Sequence, residues 1–392
     1  MMGRKYTRIV TILLLHILIL SSVAFASVGI EGEVSAYLLG DYETGEILEG
    51  YNIYQPMEVA SITKIMSYLI VMDQIKANSV SLEDRIYIDE DITEIKGSSL
   101  DLEIGESFSL EELLEAVIVI SANDATYALA KHVAGSEAAF VKMMNDKAKE
   151  LGLDHSMYIN STGLPEGELQ NIMSPEDIFI LSRYIINKYP EILSMTTIPY
   201  IEVPSRGYKK ENTNPLLREI EGIDGLKTGF TNKAGHCLVS TLTIKSSMED
   251  ESFRLIGIVM GTESEGKRKE LGGKLIQYGI DNYYKKIFTH KDRPIDTLYI
   301  PKSRDKEIEV YPSRGFSRIV RYDDYIDEDI FIDEKLKLPL KEGDKIGRMV
   351  ISIDGDILDE IDLVVNKDIK KAGIFVWIAR IIKDSLSKVF LS

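Results

Sequence analysis

Residues 57–75, MEVASITKIMSYLIVMDQI, are apolar on nearly every side of a helical wheel, and no other stretch constrains the fold as much. A helix without a polar face is a buried helix, so the rest of the chain has to be arranged around it. Upstream, SAYLLGDYETGEILEG sets two apolar runs on either side of Glu43-Thr44-Gly45, the pattern of an opening hairpin. Downstream, Ser109-Leu110-Glu111-Glu112 is a capping box that starts the helix ELLEAVIVI, which stops at Ser121-Ala122-Asn123-Asp124. A further helix is predicted over 125–151. Ser174-Pro175-Glu176-Asp177 opens another, with a cap, a first-turn proline and first-turn acids. GHCLVSTLTI and FRLIGIVMGT then read as two strands, and KRKELGGKLIQYGIDNYYKK as a helix. Strand, many helices, then strands is the order of an α+β domain whose sheet collects both ends of the domain.

From about Thr289 the texture changes to short β-rich segments broken by Gly, Pro and Asp, among them EIEVYPSR, KIGRMVISIDG and EIDLVV. That pattern predicts a small all-β domain, and 392 residues are enough for two or three units at roughly 150 residues each.

The two ends differ from the body. Arg4, Lys5 and Arg8, the apolar run Ile9 to Leu20 and the small residues of Ala24-Phe25-Ala26 read as a secretory signal over 1–26. The alternative is an uncleaved anchor helix, and either reading exports the rest. At the other end Phe375, Ile378, Ile382, Leu386 and Val389 recur at helical spacing, interrupted by Arg380, Lys383, Asp384 and Lys388. This predicts an amphipathic helix over 370–392 in a membrane interface, or, as the alternative, a terminal helix docked on the protein's own core. From Lys370 onward five basic residues face one acidic one, whereas the whole chain carries −17 from 63 acidic and 46 basic residues. The acidic total argues against a nucleic-acid partner, and the cationic tail favours anionic lipid. A single cysteine, Cys237, excludes an internal disulfide and a Cys-based zinc site and reads as a core residue. His16, His132, His155, His236 and His290 never fall at an H-x-x-x-H spacing, so no metal site is visible.

Three short motifs carry chemistry. Ser61-Ile62-Thr63-Lys64 places a hydroxyl and an amine on one face at the start of the buried helix, beside the positive end of its dipole. A lysine in apolar surroundings loses basicity and can accept the serine proton. The spacing alone is common: Ser303/Lys306 and Ser385/Lys388 share it. Ser121-Ala122-Asn123 closes a buried helix, where capping is the ordinary use of such residues. Lys227-Thr228-Gly229 leads into the strand pair, where an ordinary turn would also fit. The last two motifs occur once each, and the order Ser61, Ser121, Lys227 is that of the serine penicillin-recognising enzymes, with Ala122 where Asp is common.

On these residues the chain resembles the low-molecular-mass penicillin-binding proteins that act as serine-type D-Ala-D-Ala carboxypeptidases. That is the penicillin-binding protein 5/6 family (peptidase family S11), which includes sporulation-associated relatives. ASITKIM, ISANDATYALA and DGLKTGFT resemble its three motifs, and GLDHSMYINSTGLPEG the loop between the second and third. LKEGDKIGRMVISIDGDILDEIDLVV resembles its C-terminal β-sandwich, and the tail its membrane anchor.

The resemblance implies an α+β, serine β-lactamase/penicillin-binding-protein-like catalytic domain over 27–285, a β-sandwich over 286–367 and an anchoring helix over 370–392. It implies Ser61 as nucleophile, Lys64 as base and Ser121 as proton relay. Asn123, Lys227, Thr228 and Gly229 would bind substrate, and the backbone N–H groups of Ser61 and Phe230 would form the oxyanion hole. The implied partners are peptidoglycan stem peptides ending in D-Ala-D-Ala and β-lactams as covalent inhibitors, at the outer face of the cytoplasmic membrane. A role in wall maturation, cell shape or the spore wall follows, with no metal or organic cofactor. The segment EGELQNIMSPED departs from the family by putting Met173-Ser174-Pro175 where a His-Tyr-Ser-Thr type segment is common. The rivals are a secreted β-lactamase, whose E-x-x-L-N segment is absent here, and a non-catalytic wall-binding protein on the same fold.

Overall fold

Asp41 makes the opening hairpin: its carboxylate accepts hydrogen bonds from the Glu43 and Thr44 amides (3.2 and 2.8 Å) and from Thr44 Oγ1 (2.6 Å). The turn joins Ala36–Asp41 (β1) to Ile47–Tyr51 (β2). The computed structural model describes residues 27–245, 251–376 and 378. The signal predicted over 1–26 and residues 377 and 379–392 of the predicted tail lie outside them.

The first compact unit comprises the chain up to Thr243 together with Arg254–Gly279. The residues apolar on every side do form its central helix. After a 3₁₀ turn over Ala60–Thr63 comes Lys64–Lys76 (α1), whose first nine residues, Lys64 to Met72, are all buried. Leu110–Val119 (α2) starts with both bonds of the predicted capping box. The single helix predicted over 125–151 is two, Asn123–Ala134 (α3) and Glu137–Glu150 (α4). Gly135 at φ 76° ends the first, and Ser136 Oγ caps the second by accepting from the Ala139 amide. Pro175–Lys188 (α5) begins as expected, with Ser174 Oγ accepting from the Asp177 amide.

Ile223–Thr231 (β3), Gly235–Ile244 (β4) and Phe253–Thr262 (β5) complete a five-stranded sheet in the order β2–β1–β5–β4–β3. β1 pairs antiparallel with β5, from Ala36 opposite Met260 to Asp41 opposite Leu255, so the first and last strands of the unit meet mid-sheet. β3 is left as an edge strand, with one row of backbone groups unused by the sheet.

The helix Glu265–Asn282 (α6) stops short of the predicted NYYKK extension. Residues Tyr283–Thr289 (β6) form a strand instead and pair with Phe316–Arg321 (β9). They belong to the second unit, which comprises Ile244–Phe253 and the chain from Ile280 onward, so the division falls earlier than the expected 285/286 and takes in an additional segment. Its other strands are Asp296–Tyr299 (β7), Glu307–Pro312 (β8), Ile326–Ile332 (β10), Lys345–Ile353 (β11) and Asp356–Val364 (β12), in an antiparallel sheet ordered β7–β8–β12–β11–β10. Ile308, Val310, Ile351, Ile361 and Leu363 lie in its core.

The start of the predicted tail helix is extended. The Arg304 amide donates to Lys370 O, the Ala372 amide donates to Lys302 O, and helical structure begins at Ile374. Among the described residues no helix is long and apolar enough to cross a membrane.

Candidate active site

Ser61 sits on the 3₁₀ turn that precedes α1, after Ala60 in the left-handed region at φ 46°. The turn is braced from outside by Gly163: a Cβ there would lie 1.9 Å from Ala60 O, so only glycine lets the two backbones meet. One turn further on, Lys64 is fully buried and its Nζ lies 2.9 Å from Ser61 Oγ. Nζ also donates to Asn123 Oδ1 and to Thr162 O, each at 2.7 Å. All three partners are neutral, and burial, followed by the charge of Lys227, holds the Lys64 amine well below its ordinary pKa. A neutral amine has two hydrogens and one lone pair. With the hydrogens on Asn123 and Thr162, the lone pair is left facing the Ser61 hydroxyl.

Asn123 is the first residue of α3 and its side chain is largely committed: Oδ1 accepts from Lys64, and Nδ2 donates to Lys96 O at 2.8 Å. The resemblance assigns this amide to the substrate's peptide, yet here it positions the amine and the 96–98 stretch, with one N–H left over. Ser121, at φ 61°, has a buried hydroxyl without a hydrogen-bond partner. Next to Asn123, the buried carboxylate of Asp124 accepts from Ser99 Oγ (2.6 Å) and from the amides of Leu100 (3.0 Å) and Leu102 (3.2 Å), pinning the loop beside the site.

The third motif lies on the edge strand β3. Lys227 is buried, donates to Thr228 O at 3.1 Å, and is lowered to about 7 by burial and then by the nearby charge of Arg268. Thr228 Oγ1 donates to Thr213 Oγ1 at 2.9 Å. A Cβ on Gly229 would lie 2.8 Å from Val59 O, so this glycine admits the nucleophile turn against the strand. Ser61, Ser121, Asn123, Thr228, Gly229 and Phe230 line one cavity of about 370 Å³, while Lys64 and Lys227 do not line it.

Four contributors escaped the motifs. Thr162 offers only a carbonyl, which no side-chain pattern reveals. The Gly97-Ser98 backbone forms one wall. His236 also lines the cavity, stacked on Phe230 with ring centroids 4.1 Å apart, and its pKa is lowered by burial and then by Arg268. Arg268 of α6 reaches the same cavity with a side chain only 6% exposed; it donates to Glu265 Oε1 at 2.9 Å and its Nε has no partner. In sequence it is one basic residue of the run KRK. Cys237 is fully buried and its thiol is pushed up to about 11, chiefly by burial.

Among the described residues one group of three possible metal donors comes together, His155, Glu176 and Asp177. It does not line this cavity. Asp177 Oδ2 accepts from the His155 amide (2.8 Å) and Ser156 Oγ (2.6 Å), and both acids sit in the first turn of α5, where the helix dipole favours anions and opposes a cation. The group anchors the 154–156 turn.

A serine one helical turn from a neutralised lysine, an orphan hydroxyl across the cavity and two buried cations beside an open strand edge define a serine acyl-transfer enzyme of the penicillin-recognising class. The comparisons with known proteins take the assignment further. The chain matches the D-alanyl-D-alanine carboxypeptidase family, Peptidase S11, over residues 24–264, and the penicillin-binding protein 5 C-terminal domain over residues 283–371. It belongs to that family. It is 29% identical over 358 residues to D-alanyl-D-alanine carboxypeptidase DacF of Bacillus subtilis (strain 168), covering 90% of each chain. It is 30% identical over 366 residues to DacA of Haemophilus influenzae, covering 86% of each. The crystal structure of D-alanyl-D-alanine carboxypeptidase DacD from Francisella tularensis superposes with a TM-score of 0.68 at 26% identity, covering 86% of this chain and 94% of that one. Penicillin-binding protein D2 from Listeria monocytogenes in its ampicillin-bound form matches at 31% identity and a TM-score of 0.57, over 63% of this chain and 97% of that one.

Proposed function

We propose that this chain removes the terminal D-Ala from peptidoglycan stem peptides ending in D-Ala-D-Ala, through an acyl-enzyme on Ser61. The observation that carries the reading is the 2.9 Å approach of Lys64 Nζ to Ser61 Oγ, with every other partner of Nζ neutral. As Ser61 Oγ attacks the carbonyl carbon of the penultimate D-Ala, its proton passes to Lys64. The oxyanion is held by the backbone N–H groups of Ser61 and Phe230. When the C–N bond breaks, the departing amine takes a proton relayed through Ser121, whose hydroxyl has no competing partner. The terminal carboxylate is read by Lys227 and Thr228, and Arg268 joins them as a second buried cation. Water then adds to the ester carbonyl, the bond between that carbon and Ser61 Oγ breaks, and Oγ takes up a proton as the shortened peptide leaves with a new carboxyl end.

β-Lactams acylate the same serine in this scheme. The tail over 370–392 holds the enzyme at the outer face of the cytoplasmic membrane after removal of 1–26, which fits wall maturation, cell shape or spore-wall work. The test is release of D-Ala from diacetyl-Lys-D-Ala-D-Ala together with attachment of labelled penicillin at Ser61. Neither signal with folded protein refutes the reading, and rapid sustained penicillin turnover assigns a β-lactamase instead.

A further inference from the structure

The second unit carries a groove that catalysis does not use. It is open, has a volume of about 970 Å³, and lies where the chain leaves the sheet. Ile300, Leu336 and Leu338 give it an apolar floor, and Lys302, Lys337 and Lys371 are its exposed cations. The construction is legible in EKLKLPLKE, residues 334–342: Leu336 and Leu338 rest against the unit's core, and Lys337 between them points out. The opposite wall is closed by backbone pairing, with the Arg304 amide on Lys370 O and the Ala372 amide on Lys302 O, so that the two segments carrying Lys302 and Lys371 run next to each other and both lysines line the groove.

None of the three lysines has an ion-pair partner among the described residues, in a chain whose net charge is −17. Asp305, the nearest acid in sequence to Lys302, faces Lys367 at 4.0 Å. Unpaired ammonium groups around an apolar trough suit a ligand with an anionic head and a hydrocarbon body. The path of the chain agrees. Ile374 at the edge of the groove and Phe375, Val376 and Ile378 beyond it are all exposed, so apolar surface continues from the groove along the exit. The chain's own tail is the obvious rival occupant, but residues 379–392 carry Arg380, Lys383 and Lys388 against Asp384 alone. That segment shares the sign of the rim and would be repelled by it.

We propose that this groove docks on an anionic phospholipid, with the acyl region against Ile300, Leu336 and Leu338 and the phosphate among Lys302, Lys337 and Lys371. The second unit itself is then a lipid-contacting surface, additional to whatever the tail does and independent of the catalytic reading.

The test uses the protein with its tail intact. An environment-sensitive thiol probe is placed on L336C, and separately on I357C, an exposed position at the start of β12, the strand whose far end leads to the groove; native Cys237 is fully buried and stays unlabelled. Each form is mixed with phosphatidylcholine vesicles, with and without about one third phosphatidylglycerol, carrying a chain-labelled nitroxide quencher. The expected result is a blue shift and quenching at position 336 only, and only with phosphatidylglycerol. Replacing Lys302, Lys337 and Lys371 by Gln should weaken vesicle binding by about fivefold per lysine and leave hydrolysis of a soluble peptide unchanged. A probe at 336 that stays aqueous on vesicle-bound protein overturns the proposal, as does a triple variant that binds as tightly as the parent. A probe already shielded without lipid assigns the groove to the chain's own tail and overturns it too.

Discussion

Lys64 Nζ donates a 2.7 Å hydrogen bond to Asn123 Oδ1, joining the first residue of the buried helix to the first residue of another helix 59 positions later. With Thr162 O at the same distance, this bond determines where the lone pair of a neutral Lys64 points. The second motif therefore acts on the first before any substrate arrives.

Asn123→Asp changes this partner from a neutral to an anionic acceptor at nearly constant shape. A carboxylate at 2.7 Å stabilises the ammonium form, so the depressed Lys64 pKa should rise, and neutral amine should appear only at higher pH. The expected outcome is an alkaline shift of the rising limb of kcat/KM, with penicillin acylation shifted in parallel and slowed by about 10²-fold at neutral pH. An unmoved limb would mean that Lys64 is not the base.

Arg268 and Lys227 are two buried basic groups at one site, and the charge of Arg268 disfavours that of Lys227. Lys227 titrates near 7 in the free enzyme, so kcat/KM should fall as the pH rises above about 7 and the carboxylate-binding charge is lost. Arg268→Gln should raise KM for the D-Ala-D-Ala peptide by roughly 10- to 100-fold, the usual range for a lost charge-assisted hydrogen bond. Removing that repulsion should also move the falling limb to higher pH. A rise in KM with a stationary limb would reduce Arg268 to a packing role.

The same burial has a signature in stability. In the unfolded chain Lys227 titrates near its ordinary 10.5, and in the folded protein near 7. Between these values the unfolded state binds more protons, so stability should increase with pH, by about 1.4 kcal/mol per pH unit for one full proton. Lys64 is depressed as well and contributes with the same sign. Denaturant midpoints of the ligand-free enzyme should therefore rise between about pH 7 and pH 10. Lys227→Met should be the more stable protein at neutral pH and should show a shallower slope. Parallel pH curves for the two proteins would contradict a neutral buried Lys227.

Much of this machinery is legible in the sequence, because local signals and long-range packing agree there. The nucleophile helix betrays itself by having no polar face, and the capping box at Ser109 and the N-cap at Ser174 form as written. Misreadings arise where a weaker local signal competes. Gly135-Ser136 is a stop followed by a start, yet the apolar pattern on both sides reads through it. Tyr283–Thr289 follows a helix without a break, and its strand character appears only once β9 is beside it. Thr162 and Lys96 act through backbone carbonyls, to which the residue type is nearly irrelevant. The roles of Gly163 and Gly229 depend on which backbone each one faces, and that is tertiary information.

Gly163 provides the most severe steric test of the site. It sits at φ +82°, and a Cβ there would lie 1.9 Å from Ala60 O, 2.5 Å from Ala60 C and 2.8 Å from Thr63 Oγ1, all within the turn that carries Ser61. Two of the three atoms are backbone, so relief has to come from moving the turn or the 160–164 segment, which also carries the Thr162 carbonyl bonded to Lys64. Gly163→Ala should slow penicillin acylation by at least about 10²-fold, since a shift of about 1 Å in a reacting group is enough for that. Gly152→Ala is the control: its φ of +69° is also left-handed, but nothing lies within 4 Å of the added methyl. It should cost about 1 kcal/mol of stability from backbone strain and leave acylation intact. If both variants lose stability equally and both still acylate at the parental rate, the nucleophile turn is not held by the contact between Gly163 and Ala60, and its position must be set by α1 alone.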